Sequence, residues 1–361
     1  MRDEAVLVKA IQLGPDESRP GGIRTVMLCL KNSALGNQYG MDIVPTSSKT
    51  HRIRTFLHGF KRIRASIAAG SCDCVHIHMS ENASVYRTAI LIRWIKAHSC
   101  SRVIVQSHGS SVQSFFARCP RRIKQYLLAS LGLADLIVVL TPGWKRWWMS
   151  LLPDMRYAVV PNAVNMPEQI ENCSAVGADG RRGKSILFLG QLGERKGTYL
   201  LISSIPGVLS KHADAGFVFA GDGEVEHCAA FARKLGVSHS CEFVGWADQQ
   251  KKDSLLREAT MLVLPSKEES FGIVLLEAMS YGLPVICSDG GFMHEVVDDG
   301  VDGIVFPTGD GSALAKAICA LLDDPETCRA MGESGRRKVE KEYALPVLVS
   351  SWKKLYSEVL A

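Results

Sequence analysis

Short apolar runs that end in glycine or polar turns, each followed by a helix-forming stretch, recur along this chain in two series. In the first series the runs fall at 5–13, 74–78, 102–106 and 136–140. In the second they fall at 185–189, 217–220, 242–245, 261–264, 285–288 and 303–307. Apolar runs of this kind read as strands buried on both faces, as in parallel sheets covered by helices. Helical spacing occupies 23–30, 51–69, 88–97, 198–209, 253–259, 273–281, 325–343 and 346–360. Strand and helix alternating twice over predict an α/β fold: two Rossmann-like, doubly wound parallel sheets with a cleft between them. A length of 361 residues agrees, being too long for one ordinary core. The expected division is a domain over 1–165, a polar linker over 166–183, a second domain over 184–342 and a terminal helix over 343–361.

The stretch from Ser266 to Val285 carries the densest chemical information. It follows the apolar run 261–264 and begins with a loop holding Glu269. Gly272 then removes a side chain where a helix starts, and Gly282 with Pro284 stops that helix. The first amides of a helix lack internal partners and its dipole favours an anion there, so a diphosphate could approach the bare backbone at Gly272. Glu277 lies about 7 Å further along the axis, a distance suited to a ribose attached to that phosphate. Glu269 would face whatever hangs from the other end. The same pattern is also that of a surface helix with two solvated glutamates. Two further turns fit an anion: Gly190 to Gly197, where Arg195 and Lys196 sit beside glycines, and Gly221 to Glu224. Gly21-Gly22, between strand and helix, could bind an acceptor, the donor phosphate, or nothing as a tight turn.

Charge separates the two halves. Residues 1–165 carry 22 Lys and Arg against 9 Asp and Glu, and the remainder carries 20 against 28. The first half fits an anionic acceptor or an anionic membrane; no basic-aromatic module supports nucleic acid. The helix over 51–69 intersperses Arg52, Arg54, His58, Lys61, Arg62 and Arg64 with Ile53, Phe56, Leu57, Phe60, Ile63 and Ile67. That pattern suits a membrane surface or an ordinary packed helix with a solvated basic face. Trp144, Trp147 and Trp148 beside Lys145 and Arg146 form a second candidate headgroup contact, with core packing as the alternative. No apolar run approaches the roughly 20 residues that cross a bilayer, and the charged start Met1–Glu4 does not read as a secretory signal. The eleven cysteines have no zinc spacing and read as reduced thiols in a cytoplasmic protein. His76 and His78 share one strand face and read as core or hydrogen-bonding residues rather than metal ligands. His108 follows the run 102–106, at the strand end where α/β sheets place ligands.

Glu269-Ser-Phe-Gly-x4-Glu277-Ala-Met-x2-Gly-x-Pro-Val resembles the signature of family-4 retaining glycosyltransferases of the GT-B fold. Supporting motifs follow in that family's order: Gly21-Gly22, Ser107-His108-Gly109, Pro161-Asn162-Ala163-Val164, Arg195-Lys196-Gly197, Gly221-Asp222-Gly223, and Gly290-Gly291 with Glu295. They span most of the chain, and the set is similar to the capsule and exopolysaccharide branch. The resemblance implies a UDP- or GDP-sugar donor and a saccharide, probably lipid-linked, acceptor at the inner face of a membrane, with no metal or other cofactor. It implies that Glu269 contacts donor-sugar hydroxyls, and that Phe271, Gly272, Ile273 and Val274 line phosphate and sugar with backbone. Glu277 would hold the ribose, Lys196 with Arg195 would neutralise the leaving diphosphate, and His108 would sit near the anomeric centre. Gly22, Gly190, Gly221 and Gly245 would complete the donor surface, the nucleobase lying near Gly245. The terminal helix would return to the N-terminal domain.

One residue departs from the pattern: Gln191 stands where the family usually has an arginine, and Arg195 is the candidate substitute. Two helical glutamates eight positions apart would be separated by about 12 Å, beyond the roughly 5–9.5 Å of a glycosidase pair. A transferase in which the departing phosphate oxygen takes the acceptor's proton needs positioning and charge stabilisation rather than a protein nucleophile. A GT-B nucleotide-sugar epimerase and a weakly catalytic, membrane-associated binding subunit are the alternatives.

Overall fold

The computed structural model describes residues 9–18, 21–167 and 184–361. Residues 5–8 of the expected first strand and nearly all of the expected linker lie outside these. The chain forms two compact units, one running to Asn162 and resumed by Leu345–Ala361, the other Ala163–Ala344.

The first unit contains β1 (Ala10–Pro15), α1 (Gly22–Lys31), α2 (Ala34–Gln38), β2 (Asp42–Ser47) and α3 (Arg52–Ala68). It continues through β3 (Cys74–Met79), α4 (Ala83–His98), β4 (Arg102–Ser107), α5 (Val112–Arg118) and α6 (Arg121–Leu131). β5 (Leu136–Val139), α7 (Pro142–Leu151) and β6 (Tyr157–Val159) complete its N-terminal part. Among the described residues its strands form one parallel sheet in the order β2-β1-β3-β4-β5-β6. β3 and β5 are buried along their whole length, as strands covered on both faces must be.

The second unit contains β7 (Ser185–Leu189), α8 (Thr198–Leu209), β8 (Gly216–Ala220), α9 (Val225–Lys234) and β9 (Cys241–Gly245). Then follow α10 (Gln249–Glu258), β10 (Met261–Leu264), α11 (Ile273–Ser280), β11 (Val285–Ser288), β12 (Gly303–Phe306), α12 (Gly311–Asp323) and α13 (Pro325–Lys338). Its sheet, parallel throughout, has the order β12-β11-β10-β7-β8-β9. Phe188, Phe217 and Phe219 fill its core together with Leu201, Ile202 and Ile205 of α8. The last helix, α14 (Leu345–Leu360), belongs to the first unit. Its Tyr356 hydroxyl lies 3.0 Å from His76 Nδ1, and its ring lies 5.2 Å from that of Tyr39.

Both sheets reverse strand order once, between β1 and β3 and between β7 and β10. Ligands of open α/β sheets bind outside the carboxyl ends of the strands at such a reversal. The two points therefore mark where to look.

Several boundaries differ from expectation. β2 is missed by a pattern reading because Pro45 interrupts it; a proline is tolerated here because β2 is the edge strand. α4 starts at Ala83 rather than Thr88, after Asn82 turns the chain with φ +54°. α10 starts four residues early because Asp248 caps it, its Oδ1 accepting the Lys251 amide at 2.8 Å. The charged stretch from Pro325 is not one α-helix to Tyr343: it widens into a π-helical turn over Val339–Tyr343, and the Tyr343 carbonyl accepts the Val164 amide at 3.0 Å.

Candidate active site

At the β7/β10 reversal two loops meet. The loop after β7 forms a 3₁₀ turn over Glu194–Lys196 and enters α8 through Gly197. Gly197 is left-handed, φ +73°, and a Cβ there would lie 1.9 Å from the Pro265 carbonyl oxygen, so only glycine lets this loop sit against the one after β10. The contact is reinforced from both sides: the Lys267 amide donates to the Arg195 carbonyl at 2.8 Å, and Arg195 Nη1 donates to the Glu268 carbonyl at 3.3 Å. Lys267 and Glu194 form an ion pair across the same junction.

Inside this junction Lys196 Nζ is paired with Glu269 Oε2. Glu269 Oε1 accepts its neighbour's amide, Ser270, at 3.0 Å. Burial pushes the Glu269 carboxyl up, but the Lys196 charge and hydrogen bond, the Ser270 amide and the Arg195 charge outweigh it. The group is held below the usual carboxylate range and stays ionised. Glu269 belongs to the loop, so the helical estimate of its separation from Glu277 does not apply.

Gly272 is the residue before α11, with φ +78° and no side-chain cap on the helix. The Phe271 ring is fully buried, 6.0 Å from Tyr343, so only its backbone is free to line a site. Ile273 and Val274 are half-buried at the helix start. Glu277, two turns into α11, accepts from Lys252 Nζ of α10 at 2.5 Å. Lys252 was not singled out from the sequence; its position on a long polar helix gave no signal. Gly190 and Gly221 are packed together, a Cβ on Gly221 lying 1.9 Å from the Gly190 carbonyl oxygen. Gly245 ends β9 with open space around it. Gln191 is exposed beside Gly223.

The remaining expected site residues, Gly22 and His108, lie in the first unit. His108 directly follows β4, and its amide donates to the Met79 carbonyl at 2.7 Å. Its Nε2 lies 3.1 Å from His78 Nδ1, and His78 Nε2 lies 2.9 Å from Gln12 Oε1. The Gln12 amide is oriented because its Nε2 donates to the Met27 carbonyl at 3.1 Å. Gln12 Oε1 must then accept from His78 Nε2–H, and His78 Nδ1 from His108 Nε2–H. His108 is left with its lone pair on Nδ1. Burial lowers its pKa to about 3, so it is neutral; burial and the neighbouring imidazoles push His78 well below its ordinary value. It can thus accept a hydrogen from a ligand hydroxyl without carrying charge.

The tryptophan cluster is corrected. Trp144 and Trp148 are core residues, 3% and 0% exposed, and Trp148 Nε1 donates to Ser107 Oγ at 3.2 Å. They support β4 and cannot meet a headgroup. The 51–69 helix divides differently: Ile63 is buried and Phe60 packs on Trp94 at 5.0 Å, whereas Ile53 and Leu57 are 76% and 60% exposed. Among the described residues no helix is long and apolar enough to cross a membrane.

Residues 175–338 match the family model described as glycosyl transferases group 1. The chain is 29% identical to phosphatidyl-myo-inositol mannosyltransferase of Mycobacterium leprae over 322 residues, covering 88% of this chain and 81% of that protein. With the protein of the same description from Mycolicibacterium smegmatis it shares 27% identity over 78% and 70% of the two chains. Among solved structures, sucrose-phosphate synthase from Thermosynechococcus elongatus superposes with a TM-score of 0.81 at 17% identity, covering 97% and 99% of the two chains. HepE of Anabaena, crystallised with UDP, superposes at 0.77 and 13% identity, covering 97% and 100%. The architecture of this chain is that of GT-B glycosyltransferases, as its motif order implies.

Proposed function

We propose that this chain is a retaining hexosyltransferase that moves a sugar from a UDP- or GDP-sugar to a saccharide or lipid-linked acceptor, without a metal. The observation that carries the reading is the Lys196–Glu269 pair at the β7/β10 reversal, beside the bare start of α11. A diphosphate placed on the α11 amides gains the helix dipole and the Lys196 charge, which is what a departing nucleoside diphosphate needs. Glu269, ionised by the same lysine, accepts hydrogens from donor-sugar hydroxyls, and Glu277 accepts from the ribose. Arg195 is the second cation of the loop, standing in for the arginine that Gln191 replaces. His108, neutral and with Nδ1 as acceptor, orients a hydroxyl near the anomeric carbon.

The relatives named for glycolipid mannosylation support a hexosyl donor and a lipid-linked acceptor. The outward pair Ile53 and Leu57, set among Arg52, Arg54, His58 and Lys61, supports contact with an anionic cytoplasmic membrane face. A panel of UDP- and GDP-sugars tests the reading. One donor should release its sugar slowly with the anomeric configuration of the donor preserved, as read by proton NMR of the first product. Interconversion of the donor sugars, or binding without release, would replace it by an epimerase or a binding subunit.

A further inference from the structure

The first unit has its own cavity at the β1/β3 reversal, of about 490 Å3. Its wall includes Gly14 and Pro15 of β1, Thr46 and Ser47 of β2 and His78 of β3. Three helices begin there: α1 at Gly22, α3 at Arg52 and α4 at Ala83, of 10, 17 and 16 residues. None of the three has a side-chain cap, and none carries an acidic residue in its first turn. Each instead brings an arginine to the cavity: Arg24, Arg52 and Arg87.

This arrangement runs against the usual preference. Helix starts are positive, and cations are favoured at the other end. Three helix starts and three guanidinium groups around one space repel one another unless an anion lies between them. The protein answers them only in part. Arg24 reaches Glu17, at 3.5 Å, but that carboxylate is 92% exposed and screened. Among the described residues Glu81 is the one carboxylate on the cavity wall, and it accepts from Ser80 Oγ at 2.8 Å. Asn82, also on the wall, is the one non-glycine residue with positive φ among those described, a strained backbone at the start of α4. The volume exceeds what a phosphate needs and falls within the range of small-molecule sites.

We propose that this cavity binds a phosphate ester of a hydroxyl-bearing molecule. The phosphate lies among Arg24, Arg52 and Arg87, and the hydroxyls face Glu81 and Ser80. Taken with the transferase reading above, on which this last step rests, the bound ester is the acceptor of the transfer.

Titration calorimetry of the full chain without donor tests the site. Glycerol 3-phosphate should bind saturably and glycerol should not. Arg87→Gln should weaken the binding tenfold or more, Arg87→Lys less so, and Arg52→Gln, at an exposed position, provides a second variant whose folding is not in doubt. Absence of glycerol 3-phosphate binding, affinity unchanged in both glutamine variants, or displacement of the ester by UDP or GDP would overturn the proposal, the last by assigning the cavity to the donor. Flotation with phosphatidylglycerol vesicles identifies the source. Vesicle binding that Arg87→Gln abolishes and glycerol 3-phosphate competes for assigns a lipid headgroup; ester binding without such competition assigns a soluble phosphorylated acceptor. Because no donor is present, a chain that binds the ester but transfers no sugar refutes the transferase, while one that transfers sugar but binds no ester refutes only this site.

Discussion

Replacing Lys196 by Ala should destabilise the second unit by about 3 kcal/mol at neutral pH, in the absence of any ligand. The side chains of Lys196 and Glu269 are 18% and 9% exposed, so the pair is largely withdrawn from water. Removing one partner of such a pair typically costs about 3–5 kcal/mol, because the other charge is left buried. The lower end applies here, since Glu269 keeps the Ser270 amide at 3.0 Å and the Arg195 charge. For a unit of this size, Ala163–Ala344, the loss corresponds to roughly 6–12 °C in Tm at about 2–4 °C per kcal/mol. The pH dependence carries the stronger test. In the native chain the Glu269 carboxyl is held below its unfolded value, so its contribution is present above that value and is lost as pH falls through the folded one. In Lys196→Ala burial, the largest influence on Glu269, is mostly unopposed and raises the carboxyl above its unfolded value. The variant then recovers stability on acidification as the carboxyl takes up a proton. The gap between the two proteins should narrow between pH 7 and pH 4 in thermal melts. A loss below about 1 kcal/mol, or a gap that does not change with pH, would refute the argument that this pair is a buried charge pair.

Glu277→Gln should weaken binding of the nucleoside diphosphate about tenfold by calorimetry, the loss of one hydrogen bond to a charged group, while Lys252→Met changes it less. In a chain labelled with nitrogen-15 histidine, His78 and His108 should both be protonated at Nε2 only; Gln12→Leu should disturb the His78 tautomer first, and a His108 protonated at Nδ1 would break the chain of inference from Met27. Ile53→Ser with Leu57→Ser should lower partition onto anionic vesicles at least tenfold, since each side chain buries roughly 1.5–3 kcal/mol of apolar surface on insertion. Vesicle binding of the unaltered chain should also fall as salt rises, whereas salt-independent binding would remove the basic face from the account.

Much of the second unit was legible because its signals are local. An apolar run, a glycine and a helix start fall within a few residues of one another, as at Leu264, Gly272 and Ile273, and the chain needs no distant partner to explain them. The loop carrying Arg195 and Lys196 was legible for the same reason. What joins the two loops was not. Lys196 meets Glu269 across 73 positions, and that pairing follows from β7 lying beside β10, which is a matter of strand order rather than of spacing. Lys252 beside Glu277 is a contact of the same kind.

The first unit shows the opposite balance. Its tryptophans beside cations looked like a surface device, yet burial on α5 and β4 overrode that pattern: the Phe116 and Trp148 rings lie 5.6 Å apart. Its arginines looked like a diffuse surplus of charge. Arg24, Arg52 and Arg87 sit on three separate helices, and nothing in their spacing links them. The parallel sheet links them, because β1, β2 and β3 are neighbours and each hands the chain to a helix at the same end. A doubly wound fold therefore converts sequence positions far apart into one ring of helix starts. The charge excess of residues 1–165 belongs in part to that ring and in part to the outward face of α3. The two groups separate by experiment: cavity arginines should govern binding of a soluble phosphate ester, and Ile53, Leu57 and their basic neighbours should govern adhesion to the bilayer.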